Sequence, residues 1–119
     1  MATAEQELKA IDRTLAWAHD ELGLTYDQIG STLRVSDRTL RRWRLSSQMP
    51  RNRQRERIED LRELRHLLEA AFPVAVHRSE WLHSPSALLR GRTPISVLRS
   101  GHVARVVDAL ATLESGAFT

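Results

Sequence analysis

The feature that most limits what this chain can become is the stretch Thr25 to Arg44, TYDQIGSTLRVSDRTLRRWR, where two helix starts stand eleven residues apart. Thr25 followed three residues later by Gln28 is a capping box, and Leu24 and Ile29 are placed to form a hydrophobic staple across it. That helix runs to about Leu33. Arg34, Val35 and Ser36 turn the chain, and Ser36 caps a further helix reaching about Leu45. Two helices this short, joined by three residues, must cross steeply. The crossing needs a small residue, supplied by Gly30, and a buried apolar anchor in the turn, supplied by Val35. The second helix needs inward apolar residues, and Leu40 and Trp43 provide them. This is the pattern of a helix-turn-helix. Arg34 occupies a turn position where glycine is common, which predicts an unstrained turn.

The outer face of the second helix is the chemically informative one. At about 100° per residue, Arg41, Arg38 and Arg42 fall about 100°, 160° and 200° from Leu40, opposite the buried side. An arginine there donates two parallel hydrogen bonds to guanine O6 and N7, or clamps a phosphate. Ser36, Thr39 and the helix N-terminus suit phosphate contacts. Asp37 is placed to accept from a cytosine amino group or to complement the helix dipole. Arg44 completes the expected DNA-binding set Ser36, Asp37, Arg38, Thr39, Arg41, Arg42 and Arg44.

Charge is segregated in the same way. Residues 1–33 hold Lys9 and Arg13 against six acids, whereas residues 34–57 hold nine arginines against Asp37 and Glu56. In residues 58–119, seven arginines face seven acids. The positive field therefore coincides with the motif, as expected for a polyanionic partner. Arg51, Arg53, Arg55 and Arg57 alternate and spread around a helix, so they are read either as phosphate contacts or as a solvated first turn.

Helical periodicity dominates the remainder. Leu8, Ile11, Leu15, Ala18 and Leu22 stripe a first helix from about Ala4 to Leu22, stopped by Gly23. A long helix from about Asn52 to Ala71 carries Ile58, Leu61, Leu64 and Leu68 on one face, and Pro73 ends it. Ser79 is expected to cap a brief helix with Trp81 and Leu82, and Pro85 to open another through Leu89. Thr93-Pro94 starts a helix ending by Gly101. A last helix from about His102 carries Val103, Val106, Val107 and Leu110 until Gly116. Nothing reads as a strand. The expected fold is all-α, with a helix-turn-helix bundle over residues 1–50. Residues 51–119 supply the long connecting helix and a small C-terminal helical domain.

That second half lacks the signs of an enzyme. There is no cysteine, the five histidines have no helical pairing suited to a metal, and no glycine-rich loop follows a strand. No catalytic residue, metal or cofactor is expected. No apolar stretch approaches the ~20 residues of a membrane span, and the expected location is the cytoplasm. The half does carry an ordered set of landmarks: Trp81-Leu82, Pro85, Leu88-Leu89, Gly91-Arg92-Thr93-Pro94, Leu98, Gly101, Val106, Leu110, Gly116 and Phe118. Across roughly residues 55–119 this resembles the toxin-binding domain of the Xre/MbcA/ParS antitoxins, nearest the MbcA branch.

The resemblance implies a type II antitoxin that holds a NAD-consuming RES-domain toxin inactive and represses its own operon. Its implied partners are the toxin, operator DNA, a second copy of the chain, and a higher hetero-oligomer with toxin. The tail Gly116, Ala117, Phe118 and Thr119 is the expected toxin-binding segment, with Phe118 as an aromatic anchor. The opposing reading folds Phe118 back onto the protein's own core. Two other functions fit the residues. One is a stand-alone repressor whose C-terminal half dimerises; the other is a structural DNA binder using its arginines without sequence choice.

Overall fold

The computed structural model describes residues 3–45 and 48–116. They form seven α-helices, α1 (Ala4–Asp20), α2 (Tyr26–Leu33), α3 (Asp37–Arg44), α4 (Asn52–Ala71), α5 (Ala75–Leu82), α6 (Pro94–Arg99) and α7 (Val103–Glu114). A short 3-10 turn spans Ala87–Leu89. The chain is all-helical, as its periodicity requires. The lone extended pairing among the described residues is an isolated antiparallel bridge between Ser86 and Arg92. No helix among the described residues is long and apolar enough to cross a membrane.

Side-chain caps fix most of the helix starts. Thr25 accepts from the Gln28 amide while the Gln28 side chain accepts from the Thr25 amide, so both halves of the capping box form. Thr3 and Gln6 do the same for α1. Ser36 caps α3 and Thr93 caps α6, with Pro94 at its first position. Each such cap contributes about 1 kcal/mol by satisfying amides that the helix leaves open.

The fifth helix departs from expectation. It begins at Ala75, with no side-chain cap at Val74, and Ser79 lies inside it. The turn before it is held instead by Arg78, which donates to the Phe72 and Pro73 carbonyls at 2.8 and 3.1 Å. That stabilisation comes from within the helix, so a search for an upstream cap misses the helix start. Likewise Pro85 opens no α-helix. The Ser86 carbonyl accepts from the Gly91 amide at 2.8 Å, and the Ser86 amide donates to Arg92 at 3.0 Å. This closes a tight loop around the 3-10 turn.

One cluster of buried side chains runs through the molecule. In α1 it takes Ile11, Leu15, Trp17 and Ala18; in α3 it takes Leu40 and Trp43. Ile58, Leu61, Leu64 and Leu68 of α4 are at most 2% exposed and pack chiefly on α7, where Val106 and Leu110 are fully buried. The long helix therefore serves both ends. Its inner face receives α1 and α2 from the first half and α7 from the second.

The α2–α3 crossing shows what Gly30 is for. A Cβ there would stand 3.1 Å from the Val35 carbonyl oxygen, so the contact Gly30 permits is with the turn's own backbone. The Val35 amide donates to the Gly30 carbonyl at 2.9 Å. Val35 is half-buried rather than fully buried, and Leu33 anchors the turn more deeply. The expectation of an unstrained turn is also corrected. Arg34 is left-handed, with φ 58° and ψ 44°, a conformation that costs a non-glycine residue about 1–2 kcal/mol.

Candidate nucleic-acid interface and partner-binding end

α3 is pinned from behind and charged in front. Leu40 and Trp43 are each 1% exposed, while Arg38, Arg41, Arg42 and Arg44 lie at the surface. The alternation follows from helical phase, because residues three apart share the buried side. Arg41 bridges to Asp37 at 3.3 Å, one turn earlier, and both remain solvent-exposed. An exposed pair of this kind is worth well under about 1 kcal/mol, so a phosphate or base edge competes with it easily. Arg42 reaches the Gln48 side chain at 3.4 Å. The structure thus brings Asp37, Arg38, Arg41 and Arg42 onto one exposed helix.

The other members of the set have more local roles. The Ser36 hydroxyl accepts from the Thr39 amide at 3.1 Å and donates to the Thr39 hydroxyl at 3.0 Å, so these two form the cap itself. Arg44 stacks over the Tyr26 ring, 3.7 Å from its centroid. Among the alternating arginines, Arg55 pairs with Glu7 at 3.2 Å, and Arg57 donates to the Leu33 carbonyl at 3.3 Å. These two tie the start of α4 to α1 and α2. Arg51 and Arg53 are exposed.

The α2–α3 turn makes a contact that local sequence patterns do not reveal. Arg34 Nε donates to the Gly101 carbonyl at 2.9 Å, and its Nη2 donates to His102 Nδ1 at 3.0 Å. Since a guanidinium only donates, His102 Nδ1 is the acceptor, and the neutral imidazole carries its proton on Nε2. Desolvation first, then the charges of Arg34, Arg105 and Arg92, hold His102 below the ordinary histidine range. The available signals were the arginine in the turn and the glycine at 101, more than sixty residues apart in the chain.

At the opposite end, Gly116 follows α7 in a left-handed conformation, φ 71°, and is exposed. Ala117, Phe118 and Thr119, the remainder of the expected toxin-binding segment, lie outside the described residues. Nearby, Trp81, Pro85, Leu88 and Leu113 line a shallow apolar groove. Trp81 is half-buried and tilts against Phe72 at 6.1 Å between ring centroids. Pro94 and Leu98 are core residues.

Comparison with known proteins gives a consistent picture. The profile of the antitoxin Xre/MbcA/ParS C-terminal toxin-binding domain matches residues 67–116. The mycobacterial cidal antitoxin MbcA of Mycobacterium tuberculosis is 29% identical over 105 residues, covering 88% of this chain and 92% of the relative. A probable mycobacterial cidal antitoxin of the same species is 31% identical over 97 residues, covering 81% of each. Among solved structures, a chain of the M. tuberculosis MbcT–MbcA toxin–antitoxin complex superposes with a TM-score of 0.60 at 27% identity. That likeness covers 92% of this chain and 97% of the other.

Proposed function

The chain belongs to the Xre/MbcA/ParS antitoxin family, and from that premise we propose that it neutralises a RES-domain, NAD-consuming toxin and represses its own operon through α2 and α3. The observation that carries the neutralising role is the match of residues 67–116 to a toxin-binding domain. It is supported by likeness over 92% of the chain to a structure solved as a toxin–antitoxin complex. In this reading the labour divides along the chain. Residues 1–50 supply the recognition helix for operator DNA, and residues 51–119 carry the toxin-binding domain, with Gly116 to Thr119 and the Phe118 ring as the anchoring segment. The protein acts in the cytoplasm as a dimer and in a larger complex with its toxin.

The DNA role draws support from the exposed Arg38, Arg41 and Arg42 on a helix whose opposite side is buried. A recognition helix needs this division, because the core fixes its angle while the arginines meet bases and phosphates. Symmetric half-sites on the operator would match a dimer.

Co-expression with the neighbouring open reading frame tests the proposal. The neighbour alone should arrest growth and deplete NAD, and this chain should restore both. Arg38→Ala or Arg42→Ala should weaken operator binding and leave rescue intact, whereas deletion of residues 117–119 should do the reverse. A neighbour that is harmless alone would sink the antitoxin role and leave a repressor whose second half dimerises.

A further inference from the structure

We propose that the turn between α6 and α7 is a second DNA-phosphate site, in which Arg34, Arg92 and Arg105 extend the duplex contact beyond α3 into the C-terminal half. This rests on the reading of α2 and α3 as a DNA-binding unit.

Two guanidiniums bond to this turn or its flank, and a third arginine follows it in α7. Arg34 arrives from the end of α2, donating to the Gly101 carbonyl at 2.9 Å and to His102 Nδ1 at 3.0 Å. Arg92 reaches it along α6, donating to the Ser96 carbonyl at 3.2 Å and to the Ser100 hydroxyl at 3.5 Å. Arg105 stands in the first turn of α7. The depressed affinity of His102 for a proton, set first by desolvation and then by these same three arginines, is consistent with this placement.

None of the three has an ion pair among the described residues. The carboxylates that pair with arginine do so elsewhere, at Arg41, Arg55, Arg62, Arg65 and Arg78. A fold that crowds like charges and leaves them unopposed presents a ready site for a polyanion. Arg34 uses only two of its N–H groups on protein acceptors, so others remain for a phosphate. Neutral His102 adds its Nε2–H as a further donor.

Gly101 shows that the Arg34 seat depends on close approach. It is left-handed at φ 86°, and a Cβ there would stand 3.0 Å from both Cγ and Nε of Arg34. Any side chain would displace the arginine. DNA is favoured over an acidic protein surface by continuity, since Arg34 lies two residues before Ser36, the cap of α3. The cluster therefore adjoins the N-terminus of the helix expected to enter the major groove. A duplex presents a phosphate charge every ~1.7 Å of its axis, so a flanking cluster meets phosphate without sequence choice.

The test measures binding of the full chain, alone and with its toxin, to a duplex from upstream of its own gene and to a scrambled duplex, across a salt series. Arg92→Gln with Arg105→Gln should weaken both duplexes about tenfold near ~0.1 M salt and lower the salt slope by about 2. The ratio between the duplexes should stay unchanged, and toxin rescue should persist because the anchoring segment from Gly116 to Thr119 is untouched. Arg92→Lys with Arg105→Lys should retain most of the slope. If wild type binds through Arg38 while the double glutamine variant keeps its full slope, the second site is wrong and the α3 reading stands. If toxin rescue is lost at unchanged DNA affinity, the cluster faces the toxin and the proposal is overturned. Absence of wild-type binding to either duplex overturns both.

Discussion

The guanidinium of Arg44 lies 3.7 Å from the centre of the Tyr26 ring, and that ring stacks on His19 at 4.5 Å with 16° between planes. The end of α3, the start of α2 and the end of α1 are thereby joined in one column. His19 is itself oriented by Nδ1, which donates to the Leu24 carbonyl at 2.9 Å. A cation over a tyrosine face at a half-exposed site contributes about 0.5–1 kcal/mol. Arg44→Met should cost about that much in urea unfolding. In a background of Tyr26→Leu the same change should cost little, because its partner is already gone. Equal costs in both backgrounds would mean that the column is decorative.

Gly30 poses a contest between propensity and space. Alanine in a helix interior gains about 0.8–1.0 kcal/mol over glycine. Here its Cβ would meet the Val35 carbonyl at 3.1 Å, on a backbone held by the Val35-to-Gly30 hydrogen bond. Because the opposing atom is backbone and cannot swing away, Gly30→Ala should lower stability by about 1 kcal/mol despite its better propensity. A stabilised variant in thermal melts would show that the turn yields.

Acid should act on the α6–α7 turn. His102 binds a proton less readily in the folded chain than in the unfolded one, through desolvation and then Arg34, Arg105 and Arg92. Above the ordinary histidine range neither state is protonated there, and the group contributes no pH dependence. As pH falls below about 6.5 the unfolded chain gains a proton that the folded chain resists, so stability declines until the folded state titrates too. Between about pH 7 and pH 5, His102→Gln should lose less melting temperature than wild type. Identical slopes would assign the effect to another group.

The opposite sign is expected on the α4–α7 side. Asp60 has its carboxyl raised above the ordinary range by desolvation, then by Asp108 and by Glu56, Glu63 and Glu59. The folded chain therefore holds this proton to a higher pH than the unfolded chain, and the associated stability fades as pH rises through the folded value. Asp60→Asn should raise the melting temperature at neutral pH, with the gain shrinking toward pH ~4. An unchanged or lowered melting point at neutral pH would contradict the desolvation and repulsion that raise this carboxyl.

Local rules made much of this architecture legible in the sequence. The caps at Thr25, Ser36 and Thr93 act within three residues, and the apolar stripe of α4 repeats along one helix, so both could be read directly. The buried side of α3 followed from the phase of Leu40 and Trp43. Much of what escaped depends on distant partners. Arg34 read as a relaxed turn residue, because nothing nearby announces that its side chain docks at Gly101 and His102 in the other half. The start of α5 escaped for a different reason, since a local contact from Arg78 inside the helix, not an upstream cap, secures it. Arg92 and Arg105 do not read as a pair in the sequence because one lies in the bridge before α6 and the other in α7.

The buried cluster extending from Ile11 to Leu110 also bears on the life of this protein in a cell. A small domain with one apolar interior is expected to unfold as a single event rather than module by module. A protease engaging either end must dissolve the same interior before advancing far. On that expectation no durable half-molecule keeps the arginine helix while shedding the C-terminal helices, and loss of one end's structure carries the other with it.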